Sequence, residues 1–187
     1  MKRNPIIVLV LCILILTVIS GCWLQKASDT WRDSKSGLTW VVLPTGGLMD
    51  FPNAIQHCES LKIGGFDDWR LPTISELRSL TRGCEALEKN GECPASDLCN
   101  SQSCYNREKS KEKCYCSTDK KGPGRDGWYM PSDIFGGSQG QGTFWSSTEY
   151  LDRWDHKVGE VYVLNFLLPE LFYSNYDNSL AARCVRP

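Results

Sequence analysis

Two acidic and aromatic segments of the chain carry side chains that could bind a ligand. The first segment follows a strand-like run over 143–148 and holds Glu149, Tyr150, Asp152, Arg153, Trp154, Asp155 and His156. The second follows an apolar run over 160–167 and holds Glu170, Phe172, Tyr173, Tyr176 and Asp177. Aromatic rings stack on the C–H faces of sugars while carboxylates accept hydrogen bonds from hydroxyl groups, and the same rings anchor protein partners. The residues predicted to bind a ligand are Glu149, Tyr150, Asp152, Trp154, Asp155, Tyr173, Tyr176 and Asp177.

Carboxylates in the first segment also suggest an alternative chemistry. Glu149 with Asp152 or Asp155 could act as the paired carboxylates of a glycosidase, whose separation decides between retaining and inverting hydrolysis. Sequence spacing does not give that separation. Only two histidines are present, and His57 beside Cys58 on a predicted helix is better explained by packing than by catalysis. We therefore assign no catalytic residue, no metal ligand and no cofactor, and calcium is left open.

The N-terminus has the pattern of an export signal. A short basic stretch precedes an apolar run over 6–19, which is shorter than the roughly 20 residues that span a bilayer as a helix. The end of the run and the residues after it, Ile19-Ser20-Gly21-Cys22, resemble the bacterial lipobox. This predicts a lipoprotein signal over 1–21, lipid attachment at Cys22, a tether over 22–29 and a partner membrane, most simply the outer membrane.

Cysteine usage favours an oxidising compartment. Once Cys12 and Cys22 are set aside, eight cysteines remain, which is an even number as a disulfide framework requires. Two of them, Cys58 and Cys184, stand apart from the rest. The other six form a cluster: Cys84, Cys93, Cys99, Cys104, Cys114 and Cys116. The simplest partition is one long-range bridge with three bridges inside the cluster, and a zinc site is the alternative that export disfavours.

Length and charge limit the remaining function classes. The chain has 187 residues, which suits one domain, and its formal charge is −1. This balance gives no reason to expect nucleic-acid binding.

Short elements are expected in the order hairpin, helix, helix, insert and strands. Runs over 30–33 and 38–43 flank a turn, and Asp50 precedes a helical stripe that ends at Gly64-Gly65. Thr73 and Glu76 form a capping box for a second helix that ends near Gly83. Strands are expected over 143–148, 160–167 and 180–185, the second of them central because both of its faces are largely apolar.

A cysteine-rich insert over 82–127 interrupts this order. It holds few large apolar side chains, so cross-links are expected to order it. Between residues 104 and 121 it carries six basic and three acidic residues. The basic residues are Arg107, Lys109, Lys111, Lys113, Lys120 and Lys121, and they offer either a solvated surface or a contact for polyanions.

Five sequence blocks in order resemble the Lcl C-terminal domain family. They are Ser36–Trp40, Asn53-Ala54 with Cys58, Gly65–Thr73 with Glu76-Leu77, Phe144–Tyr150 and Arg183–Arg186. The resemblance covers the predicted domain over 30–187 and implies an α+β fold of the C-type-lectin-like kind, with two short helices on a small, twisted, mostly antiparallel sheet. It also implies a bridge between Cys58 and Cys184, and it makes the two acidic and aromatic segments the recognition end of the domain.

The resemblance does not by itself assign a function. The lectin calcium motifs are absent, and Arg70–Thr73 resembles a segment of formylglycine-generating enzymes without their active-site cysteines. The leading hypothesis is a surface lipoprotein with a non-catalytic binding domain for an extracellular glycan or protein. The alternatives are an exported enzyme and a structural envelope protein.

Overall fold

The computed structural model describes residues 28–103, 113–134, 136–137 and 142–187. Within these residues the protein is an α+β domain with two α-helices, a three-stranded sheet and a five-stranded sheet. The α+β class expected from the sequence is confirmed. The predictions on residues 1–27, on Cys104 and on three of the six basic residues of the insert, Arg107, Lys109 and Lys111, fall outside the described residues.

The N-terminal hairpin forms the small sheet. Strand β1 (Thr30–Arg32) pairs antiparallel with β2 (Thr39–Val41), and β2 pairs with β8 (Val185–Arg186) near the C-terminus. Asp33 shapes the hairpin turn by accepting hydrogen bonds from the amides of Lys35 and Ser36 and from the Ser36 hydroxyl. The predicted hairpin is therefore confirmed.

The larger sheet is mixed, with the order β3-β7-β4-β5-β6. Its strands are β3 (Leu48–Met49), β4 (Thr143–Leu151), β5 (Lys157–Asn165), β6 (Glu170–Asn175) and β7 (Leu180–Ala181). β4 and β7 run parallel, and the other neighbours run antiparallel. Two irregularities, one with extra residues in β4 and one with extra residues in β5, shift the register between these strands. As expected, β5 lies inside the sheet, and four consecutive residues over 161–164 are buried.

The two helices cover opposite faces of this sheet. Helix α1 (Phe51–Ser60) begins at the predicted cap, Asp50, and packs Ala54 and Cys58 against the face that carries Trp145 and Val163. Helix α2 (Ile74–Ser79) packs Ile74 and Leu77 against the face that carries Phe144, Tyr162 and Leu164. The sheet thus has a buried apolar layer on each side.

The Arg-Leu-Pro-Thr segment has a clear structural role. Thr73 and Glu76 form the predicted capping box, in which the Thr73 hydroxyl accepts from the Glu76 amide and the Glu76 carboxylate accepts from the Thr73 amide. The Arg70 guanidinium donates to both Glu76 oxygens at 2.6 and 2.7 Å, and this contact raises the pKa of Arg70. The segment therefore fixes the start of α2 beside the sheet.

Disulfides connect the ends of the fold and order the insert. Cys58 and Cys184 are bonded across 126 residues, the pairing that the family resemblance implies. Cys84 pairs with Cys116, and Cys93 pairs with Cys114 inside that loop. Cys99 is disulfide-bonded as well.

The insert is better packed than its composition indicated. Leu87 and Ala95 are fully buried in the core beneath α2, and the Arg78 guanidinium donates to carbonyl groups of Leu87, Glu88 and Ala95. Asp97 accepts a hydrogen bond from the Thr148 hydroxyl at 2.9 Å. Apolar burial and buried hydrogen bonds therefore support the disulfides in holding the insert to the sheet.

Four details of the predicted elements were wrong: one strand was missed, one was not divided, and two helix ends were misplaced. Residues 170–175, interpreted as a loop, form β6, which pairs with β5 over its whole length. The single strand expected over 180–185 is divided into β7 and β8, which belong to different sheets. Helices α1 and α2 end at Ser60 and Ser79, each a few residues before the glycines proposed to end them.

Across the described part of the chain, neither helix has the length and apolar character that crossing a membrane requires.

Candidate functional site

The candidate site is the turn between β4 and β5, which we call the Trp154 turn (residues 152–156). The backbone closes it, because the Asp152 amide donates to the His156 carbonyl and the Asp155 amide donates to the Asp152 carbonyl. Asp155 has a φ of 62°, a left-handed conformation that Asp adopts more readily than most residues. These contacts fix the backbone conformation of the turn.

The Asp152 carboxylate fixes the turn from inside. One oxygen, Oδ1, accepts from the amides of Trp154 and His156 at 2.8 and 2.9 Å, and Oδ2 lies 3.4 Å from His156 Nδ1. The amide of His156, supported by that of Trp154, holds the pKa of Asp152 below its ordinary value. Asp152 is thus a negatively charged turn-forming residue at neutral pH.

The turn presents Trp154 to solvent. The Trp154 side chain is 60% exposed, and the Arg153 guanidinium carbon lies 3.9 Å from the centre of its ring. A cation over an aromatic face is attracted by the electrons of the ring. The pair therefore forms a partly ordered, exposed surface that combines an apolar ring with a planar cation, and such residues dominate binding hot spots.

A polar cluster lies beside the turn on the sheet face that α1 covers. Glu149 Oε1 accepts from Lys157 Nζ at 2.7 Å, which raises the pKa of Lys157. Burial raises the pKa of Tyr176, and the negative charge of Glu149 adds to the rise. The Tyr176 ring stacks on Phe51 with the ring centres 4.7 Å apart. Two of the predicted site residues, Glu149 and Tyr176, therefore lie close together. Lys157 supplies the positive charge of this cluster through its contact with Glu149.

Two other predicted residues lie on the opposite face of the sheet. Tyr150 is only 6% exposed and stacks on Tyr173, with ring centres 4.2 Å apart and planes 7° apart. Tyr150 also meets Tyr162 edge to face. The expectation that Tyr150 and Tyr173 belong to ligand-binding loops was wrong in its geometry, since both lie on strands and Tyr150 is part of the core.

The eight predicted residues therefore do not form one surface. Asp152, Trp154 and Asp155 share the turn, and the exposed Asp177 lies in the turn between β6 and β7. Sequence reasoning left Lys157 out of the site. The signal that could have found it is the hairpin itself, since a short turn after Glu149 returns the next strand beside it.

Two carboxylates of the site have partners within the fold. The Glu149 carboxylate is engaged by Lys157, and the Asp152 carboxylate is engaged by two backbone amides. Both carboxylates therefore have positions fixed by bonds within the fold. Trp154 and Arg153 supply the exposed contact surface.

Among protein families, the model of the Lcl C-terminal domain matches residues 29–186. The match covers most of the chain, so the protein belongs to this family. Together with the disulfides, it indicates an exported or extracellular bacterial domain. No curated protein matches the sequence. No solved structure matches it either.

Proposed function

We propose that this protein is a non-catalytic binding domain of the C-type-lectin-like kind, carried by a lipoprotein that is anchored through Cys22 to the outer membrane. Its ligand is an extracellular glycan or protein, bound at the Trp154 turn. The observation that carries the proposal is the exposed Trp154 ring, held beside Arg153 in a turn that Asp152 fixes by hydrogen bonds.

Rigidity at the turn supports this function energetically. A binding surface that is already ordered loses little conformational entropy when its ligand arrives. Trp and Arg are enriched among the residues whose removal weakens binding most. The Trp154 turn supplies both of these side chains on a backbone that is already ordered.

An array of glycans and envelope proteins, probed with the purified full chain, tests this proposal. We expect a set of ligands whose binding is lost in Trp154→Ala and kept in Leu168→Ala. Leu168 is a matched control because it is 59% exposed and follows the other end of β5. Ligands that bind all three proteins equally would place the binding surface elsewhere.

A hydrolysis screen on the same glycans tests the alternative of an exported glycosidase. Under the proposal, no turnover is expected from the wild type. Turnover that Glu149→Gln abolishes would overturn the non-catalytic proposal and assign Glu149 to the reaction.

A further inference from the structure

A charged cleft lies away from the Trp154 turn, between the β1–β2 turn, the end of α2 and the insert. Its volume is about 720 Å³, which is within the range of ligand sites in proteins. Its lining contains no aromatic residue. The cleft therefore suits a charged ligand better than a sugar held by stacking.

The walls of the cleft are rigid. Buried Arg78 uses all three of its guanidinium nitrogens to hold carbonyl groups of the insert, at 2.5 to 3.0 Å. Asp33 is buried and fixes the hairpin turn on the other side. These contacts preform the cleft, which lowers the entropic cost of binding.

Donor groups remain available on the α2 side of the cleft. Arg82 Nη1 donates to the carbonyl groups of Ser79 and Thr81, and Nη2 forms an ion pair with Asp33 Oδ1 at 3.7 Å, a separation that is too long for a hydrogen bond. The Thr81 side chain is 1% exposed, and its hydroxyl has no hydrogen-bond partner among the described residues. A buried polar group without a partner is costly, and a ligand oxygen would satisfy it.

The insert wall carries the opposite charge. Glu85, Glu88 and Glu92 line the cleft along this wall, accompanied by Lys89. None of the three glutamates makes an ion pair within the part of the chain that the structure describes. A ligand that carried only negative charge would be repelled by this wall, whereas a ligand with an added ammonium group would be attracted.

We propose that this cleft binds a short zwitterionic peptide, with its carboxylate near Arg82 and Thr81 and its ammonium group near the glutamates of the insert. The site is separate from the Trp154 turn and does not depend on the function proposed for that turn.

Isothermal titration of the full chain with four forms of trialanine tests the proposal. The forms are the free peptide, the N-acetylated peptide, the C-amidated peptide and the doubly blocked peptide. We expect the free peptide to bind, each single block to weaken binding at least tenfold, and the double block to abolish it. Equal binding of all four forms, or no binding of the free peptide, would overturn the proposal.

Three variants locate the binding. Arg82→Gln is expected to weaken binding of the free peptide and to leave binding of the C-amidated peptide unchanged, because only the carboxylate contact is lost. Thr81→Val keeps the shape of the side chain and removes the hydroxyl, so it tests the same contact without disturbing α2. Lys62→Gln changes an exposed charge outside the cleft and is expected to have no effect. Unchanged affinity for the free peptide in both cleft variants would contradict the assignment.

Discussion

Removing the Cys58–Cys184 disulfide is expected to destabilise the domain more than removing the Cys93–Cys114 disulfide. A disulfide restricts the unfolded chain, and the restriction grows with the number of residues enclosed. For the 126-residue separation the chain-entropy relation gives about 5 kcal/mol, and for the 21-residue separation it gives about 3 kcal/mol. All four cysteines are buried, so replacing either pair with alanine removes similar packing. The comparison therefore isolates the effect on the unfolded state.

Urea unfolding of the oxidised proteins measures this difference. The double variants are Cys58→Ala/Cys184→Ala and Cys93→Ala/Cys114→Ala, each compared with the wild type by its free energy of unfolding. A larger loss in the insert variant, or equal losses in both, would show that local packing of the insert, and not restriction of the whole chain, sets the stability of the domain.

Three further outcomes are expected. Thr73→Ala removes the hydroxyl that caps α2 and should lower the free energy of unfolding by about 1 kcal/mol, measured in urea; an unchanged midpoint would contradict the capping role. Because the folded pKa of Asp152 is depressed, its hydrogen bonds stabilise the turn fully above the ordinary pKa of Asp and are lost as the pH falls through the depressed value. The amide chemical shift of His156, followed by NMR against pH, should show this low midpoint, and a midpoint at or above the ordinary value would oppose it. Cys22→Ser should abolish labelling with palmitate in cells, and equal labelling of variant and wild type would disprove the lipid anchor.

Features coded by a few neighbouring residues were predictable from the sequence. The capping box of α2 needs only Thr73 and Glu76 at the right spacing, and the start of α1 needs only Asp50 before an apolar stripe. The hairpin β1–β2 was likewise predicted from a short segment, the turn between its two strands. Each of these elements has the position that its local pattern indicates.

Strand β6 shows why other features were missed. Its aromatic and acidic residues suggested a binding loop, although Leu171 and Tyr173 point to one face and Phe172 and Ser174 to the other. That period of two was the signal of a strand. The polar residues at its two ends, Glu170 and Asn175, made this alternation difficult to recognise.

The site itself depends on register, which local patterns do not give. Tyr150 and Tyr173 meet because three strands align their rings, while the neighbouring Glu149 faces the other side of the sheet. Irregularities in the pairing of β4 with β5 decide this alignment, and a shift of one residue would exchange the two faces. The sequence therefore indicated many of the residues near the turn, but it did not indicate which face of the sheet each residue occupies.

We infer that the Trp154 turn binds the ligand. The most direct test is the dissociation constant of the best array ligand, measured by titration for the wild type, Trp154→Ala and Leu168→Ala. A loss of affinity of at least about tenfold is expected in Trp154→Ala, as for a hot-spot residue, and almost none in Leu168→Ala. Equal affinity of Trp154→Ala and the wild type would contradict the claim.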